Sequence, residues 1–172
     1  MQRRLASYTL ILGMSCLLAA CGFQLRGTGG GGAALPDAWK TMRLATGNPN
    51  SEFSQAVRNL FAADGIVWVA QGDPGYTLVL GPERFNQTNL SLNNEARVSQ
   101  YELTMLATFS VRGSDGAQVM PDTVASVTRQ MENDPRNAMG KGEEIRILKS
   151  EMRTELAQQI IRRIGFFATR SP

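Results

Sequence analysis

Residues 101–111 read Tyr-Glu-Leu-Thr-Met-Leu-Ala-Thr-Phe-Ser-Val. Tyr101, Leu103, Met105, Ala107, Phe109 and Val111 alternate with Glu102, Thr104, Leu106, Thr108 and Ser110, and Gln100 extends the second set. Successive side chains of a β-strand point to opposite faces, so this run predicts a long strand with one apolar and one polar face. Downstream, Ser114-Asp115-Gly116 predicts a turn, and Thr123 to Met131 a second strand. Its Ala125, Val127 and Met131 share one face, with Val124, Ser126, Thr128 and Gln130 on the other. Upstream, Asn93-Asn94-Glu95 predicts a hairpin tip. Tyr76, Leu78 and Leu80 begin an extended stretch that runs on toward Leu92.

Two stretches have helical spacing instead. Phe53, Ala56, Val57, Leu60 and Phe61 recur at the intervals of an amphipathic helix, with Asn50 or Ser51 as N-cap and Gly65 as C-terminal cap. Ile145, Leu148, Met152, Leu156, Ile160 and Ile164 form the stripe of a longer helix, predicted from about Glu143 to Ile164 and closed by Gly165. Thr41 to Ala45 is a first short strand, and Ile66 to Val69 a short extended piece. Two helices with single apolar stripes need one face of one sheet to cover. The expected fold is α+β: a two-layer sandwich with two helices on one face of a four-stranded mixed, largely antiparallel sheet, in the order β-α-β-β-β-α.

The 172-residue chain is 42% hydrophobic and 19% charged, within the range that folds. It has no histidine, which removes His-based acid/base and nucleophile systems and His-ligated metals. Its two cysteines, Cys16 and Cys21, both precede the domain. Arg3 and Arg4 followed by the apolar run Leu5 to Leu18 have the form of a secretory leader, too short for a confident membrane span. The ending Leu18-Ala19-Ala20-Cys21 matches a bacterial lipoprotein box. Residues 1–20 are therefore expected to be cleaved, and Cys21 to carry a diacylglycerol thioether and an acylated amine, the only prosthetic group expected. Gly22, where inner-membrane retention favours Asp, points to the periplasmic side of the outer membrane. Residues 21–36 then form a lipidated, Gly-rich tether with a reach of roughly 20 Å, ahead of a single α/β sandwich domain at 37–172.

Losing Arg3 and Arg4 lowers the net charge from +3 to +1, so global charge gives no case for nucleic acid. Gly27, Gly29 and Gly32 spell G-x-G-x-x-G, but without a strand before or a helix after them they make no dinucleotide site. Glu143 and Glu144 are adjacent and diverge on a helix, which suits its dipole and not acid/base catalysis. No metal-ligand spacing is visible. Two features remain. The outward sheet face, with Gln100, Thr104, Thr108, Ser126 and Thr128, is polar but nearly uncharged; it suits either contact with a polar protein wall or plain solvation. Arg97, Arg136 and Lys141 fall in loops at element ends, as an anion site or as ordinary solvated charge.

Cys21-Gly22-Phe23-Gln24-Leu25-Arg26-Gly27 resembles the lipidated start of the LptE family of lipopolysaccharide-assembly lipoproteins. Ser54-Gln55-Ala56-Val57-Arg58-Asn59, Tyr101-Glu102-Leu103, and Asn133-Asp134-Pro135 with Lys141 match that family in order and spacing. The resemblance implies a non-enzymatic outer-membrane lipoprotein. It would plug the LptD β-barrel, help it assemble, and assist delivery of lipopolysaccharide to the outer leaflet. It implies lipopolysaccharide binding through basic residues at the loop before the last helix, where Lys141 matches and Arg136 lies nearby. The family's second basic position is near the hairpin. Here that tip is Asn93-Asn94-Glu95, a departure, and the nearest base is Arg97. The alternatives are a lipoprotein scaffold of another envelope-assembly complex, and a lipid-anchored hydrolase, for which no carboxylate pair is evident.

Overall fold

The computed structural model describes residues 35–92, 98–133 and 138–170. A short 3-10 turn, Asp37–Trp39, leads into β1 (Thr41–Thr46). Helix α1 (Glu52–Ala63) follows, capped by Ser51, whose Oγ accepts the Ser54 N–H at 3.1 Å. Gly65 leaves the helix with φ +88°, a conformation that costs glycine little. Then come β2 (Val67–Trp68), β3 (Tyr76–Leu80), β4 (Arg84–Leu92), β5 (Val98–Gly113), β6 (Gln118–Glu132) and α2 (Ala138–Ala168).

Strand β1 lies between β2 and β3 and is parallel to both. All other pairings are antiparallel. Strand β5 organises the sheet. One edge pairs with β6 from Gln100 to Arg112. The other takes β3 at Phe109–Gly113 and β4 at Val98–Leu106. Leu80 pairs with Phe109 and Arg84 with Leu106, so the β3–β4 side holds one extra residue across the junction. Pro82 has no N–H to donate there. Gly81 donates to the Thr108 carbonyl at 2.8 Å, and a Cβ on it would meet that oxygen at 3.0 Å. The single extended stretch expected from Tyr76 to Leu92 is thus two strands joined by a bulge. With β2, this makes six strands instead of four, in the order β-α-β-β-β-β-β-α.

The helices cover the face predicted for them. Leu103, Met105, Ala107, Phe109 and Val111 of β5 and Ala125, Val127 and Met131 of β6 are buried. Against them lie Phe53, Val57 and Phe61 of α1 and Met152, Leu156, Ile160 and Ile164 of α2. Ile145 and Leu148 continue the α2 stripe, partly buried. Ser110, placed on the open face by alternation, is only 4% exposed: it is short and sits opposite Val79. Helix α2 also begins earlier and ends later than its stripe predicts. Gly165 continues the helix, because Phe167 reaches Trp39 edge-on at 6.2 Å and Ala168 is buried, so packing outweighs the glycine's weak propensity. Phe166, by contrast, is 56% exposed.

Polar contacts fix how α2 lies. Arg153, only 16% exposed, pairs with Glu52 of α1 and has its Nε 2.8 Å from both carboxylate oxygens of Glu83 at the bulge. Arg129, on the covered face of β6, pairs with Glu155. The Ser126 N–H donates to Gln159 Oε1 at 2.9 Å, and the Val124 carbonyl accepts from Arg163. Side chains of α2 therefore occupy backbone groups of an edge strand that would otherwise be open to pairing.

Candidate functional site

The start of β5, the end of β6 and the first turns of α2 meet at one end of the sheet, where Lys141 sits. Its Nζ donates to the Tyr101 hydroxyl at 2.8 Å and to Asn133 Oδ1 at 2.9 Å, and lies 4.0 Å from the Tyr101 ring centroid. Asn133 cannot turn away. Its backbone N–H donates to the Ser99 carbonyl at 2.8 Å and its Nδ2 to the Val98 carbonyl at 2.7 Å. With the amide nitrogen so committed, the amide oxygen faces the ammonium. Among the described residues no carboxylate pairs with Lys141. Glu143, two residues on, accepts instead from Arg146 at 2.8 and 2.6 Å, and these hydrogen bonds hold its carboxyl below the usual range. An ammonium has three N–H donors. Here two go to neutral oxygens and the charge is not neutralised by a described carboxylate, so the group can donate to a phosphate oxygen at little cost in rearrangement.

Of the other predicted anion-site residues, Arg97 and Arg136 lie outside the described residues, as do Cys21 and the Asn93-Asn94-Glu95 tip. Arg97 immediately precedes Val98 in the sequence, and Arg136 lies between Asn133 and Lys141.

The predicted sheet-face residues are brought together. Thr104 pairs with Thr128, Leu106 with Ser126, Thr108 with Val124 and Gln100 with Glu132, all in one register. These positions alternate with the buried set and so face away from the helices. Thr108, Ser126 and Thr128 are exposed; Gln100 and Thr104 are half-buried. Strand β4 widens this face, since Asn86 lies opposite Thr104 and Thr88 opposite Glu102. Sequence reading missed these two because β4 carries polar residues on both faces, with apolar side chains only at Phe85, Leu90 and Leu92, so its alternation carries little contrast. It also missed Tyr101 and Asn133 as partners of Lys141. The available signal for Tyr101 was its hydroxyl, the one polar group in an otherwise apolar stripe.

A second concavity lies at the far end of β5, roughly 40 Å along the strand from Tyr101. It encloses about 800 Å³ between Pro36, Trp39, Tyr76, Val119 and Phe167, with Trp39 stacked on Tyr76 at 3.9 Å. No charged side chain lines it, so it lacks the chemistry to hold an anion. Among the described residues no group of three or more acidic or cysteine side chains could hold a metal, and no helix is long and apolar enough to cross a membrane.

Comparison with known proteins gives concordant matches. The family model described as "LptE: Lipopolysaccharide-assembly" matches residues 39–164, most of the chain. The chain is 29% identical over 164 residues to an LPS-assembly lipoprotein LptE of Pectobacterium atrosepticum, covering 91% of this chain and 84% of that protein. It is 27% identical to the protein of that name from Photorhabdus laumondii, with the same coverages. Among solved structures, lipoprotein B of Nitrosomonas europaea superposes with a TM-score of 0.70 at 18% identity, over 86% of this chain and 93% of that one. The rare lipoprotein B of Shewanella oneidensis superposes with a TM-score of 0.67 at 23% identity, over 75% and 96%. These two share the fold.

Proposed function

Because the chain belongs to the LptE family, we propose that it is an outer-membrane lipoprotein of lipopolysaccharide assembly, anchored through acylated Cys21 on the periplasmic side. In this reading it plugs an LptD-type β-barrel, helps that barrel assemble, and assists delivery of lipopolysaccharide to the outer leaflet without catalysing a reaction. The observation that carries the reading is the family match over residues 39–164, which takes in the whole sheet, α1 and most of α2. The open sheet face is the proposed contact with the barrel. A barrel lumen is polar, and the hydroxyl and amide side chains that make up most of the face meet such a wall without burying unpaired charge, while Glu102 and Glu132 lie at its Lys141 end. Gln100, Thr104, Thr108, Ser126 and Thr128 supply that surface, joined by Asn86 and Thr88.

Affinity purification from detergent-solubilised envelopes, with a C-terminal tag, tests the partnership. A large β-barrel at about one-to-one stoichiometry is the expected companion. Thr104→Arg with Thr128→Arg is expected to reduce its recovery severalfold, because two guanidinium groups enter a packed polar contact. Recovery of the lipoprotein alone, with tag and anchor intact, would instead favour a scaffold of another envelope complex.

Lipopolysaccharide phosphates are the proposed ligand of Lys141, with Arg97 and Arg136 as further bases. Lys141→Glu combined with Arg97→Glu is expected to weaken lipopolysaccharide binding tenfold or more, since attraction becomes repulsion at two positions. Circular dichroism should stay normal. Unchanged affinity in a direct lipopolysaccharide titration sinks this assignment.

A further inference from the structure

We infer that Tyr101 and Asn133 are positioning residues of the Lys141 anion site, holding its ammonium at a fixed place through neutral oxygens that do not cancel its charge. The inference rests on the proposed lipopolysaccharide reading and deepens it. A free lysine on a helix surface samples many rotamers, and ordering it on binding costs side-chain entropy. Here that cost is met before any ligand arrives. Tyr101 comes from β5, Asn133 from the residue just past the end of β6, and the lysine from a helix, at sequence separations of 40 and 8 residues. Both acceptors are neutral oxygens, so they fix the direction of the group without cancelling its charge. A carboxylate in either place would hold the lysine more tightly and leave less for an anion. Asn133 is itself locked by the Val98 and Ser99 carbonyls, so the cradle is set by the β5–β6 backbone.

The chemistry recognised is a phosphomonoester oxygen on a surface-bound ligand. A glycolipid phosphate and a free phosphate share that chemistry, and the test separates them. Tyr101→Phe keeps the ring and removes only the acceptor. Affinity of the full lipoprotein in detergent is measured for lipopolysaccharide, for lipopolysaccharide stripped of its phosphates, and for inorganic phosphate. Tyr101→Phe is expected to weaken binding of phosphorylated lipopolysaccharide about three- to tenfold, the effect of loosening one charge-assisted contact. It should not alter the stripped form. In a Lys141→Met background the same change should have no further effect, because Tyr101 acts through the lysine. Asn133→Asp, which sets a carboxylate against the ammonium, should weaken phosphorylated lipopolysaccharide more than Tyr101→Phe does. A purely structural tie predicts no such loss.

Equal weakening by Tyr101→Phe with and without Lys141 would overturn the positioning role while leaving Lys141 as a ligand. So would an unchanged affinity for Tyr101→Phe where Lys141→Met is weakened. If Lys141→Met itself binds phosphorylated lipopolysaccharide normally, the anion site fails and the positioning role falls with it. Tight binding of inorganic phosphate with unchanged lipopolysaccharide affinity across the set would overturn the glycolipid source. Should Asn133→Asp fail to fold, the Tyr101–Lys141 cycle decides alone.

Discussion

Phe109→Ala is expected to destabilise the domain by about 3–5 kcal/mol, the range for deleting a buried aromatic ring. The residue is 1% exposed, opposite Leu80 on β3 and Thr123 on β6, where three strands lie side by side. Its ring faces the buried stripes of both helices, so truncation leaves a void that no single element can move to fill. Typical domains are stable by only about 5–15 kcal/mol, so this is a large share of the total. The melting temperature should fall by about 10–20 °C in thermal denaturation followed by circular dichroism. Phe166→Ala is the matched control. That ring is 56% exposed and has Arg170 4.2 Å from its centroid, so its loss should cost about 1 kcal/mol or less. Equal melting of the two variants would mean that β5 is not the strand around which the core is built.

The contrast between the two phenylalanines marks how far the sequence could be read. Phe109 declares itself, because it sits in an eleven-residue alternation that only a half-covered strand explains. The α1 stripe was legible for the same reason, since side chains three and four apart must share a face, and its cap was narrowed to Asn50 or Ser51. The strand count was not. Strand β2 is two residues long, and the division between β3 and β4 is a single extra residue beside Pro82, too little to disturb a pattern. The end of α2 was hidden by Gly165, since nothing local announces that Phe167 finds Trp39 across the fold. The candidate site divides likewise. Its open sheet face followed from period two. Lys141 stood out through resemblance to a family, whereas its two oxygen partners depend on a meeting of β5, β6 and α2 that no spacing encodes.

Cys21→Ala should yield a protein with no acyl mass at all. The thiol is the only nucleophile the lipoprotein box offers for the thioether, and the amine to be acylated exists only after cleavage before residue 21. Intact-mass spectrometry should show the unsubstituted chain beginning at Cys21 with three acyl chains, and the variant with none. Acyl mass is the deciding readout, because a variant whose leader is not removed keeps the apolar run Leu5 to Leu18 and can still sediment with membranes. The functional effect should be large. One acyl chain holds a protein only reversibly, with a constant of about 10⁴ M⁻¹, and two already give stable anchoring. Three would make the protein a permanent resident of its leaflet, and a tether over 21–36 would hold the domain within roughly 20 Å of the bilayer. Confined to that layer, the domain would meet a barrel in the same membrane far more often than it would when free in the periplasm. Without the anchor, the partners would meet only at their bulk periplasmic concentration. Barrel recovery should therefore fall in Cys21→Ala even though the sheet face and the Lys141 cradle are untouched. An acylated mature chain from that variant would refute the lipoprotein-box reading. An unacylated variant that still recovers the barrel fully would show that the folded domain's own contacts suffice and that the anchor serves only to deliver it.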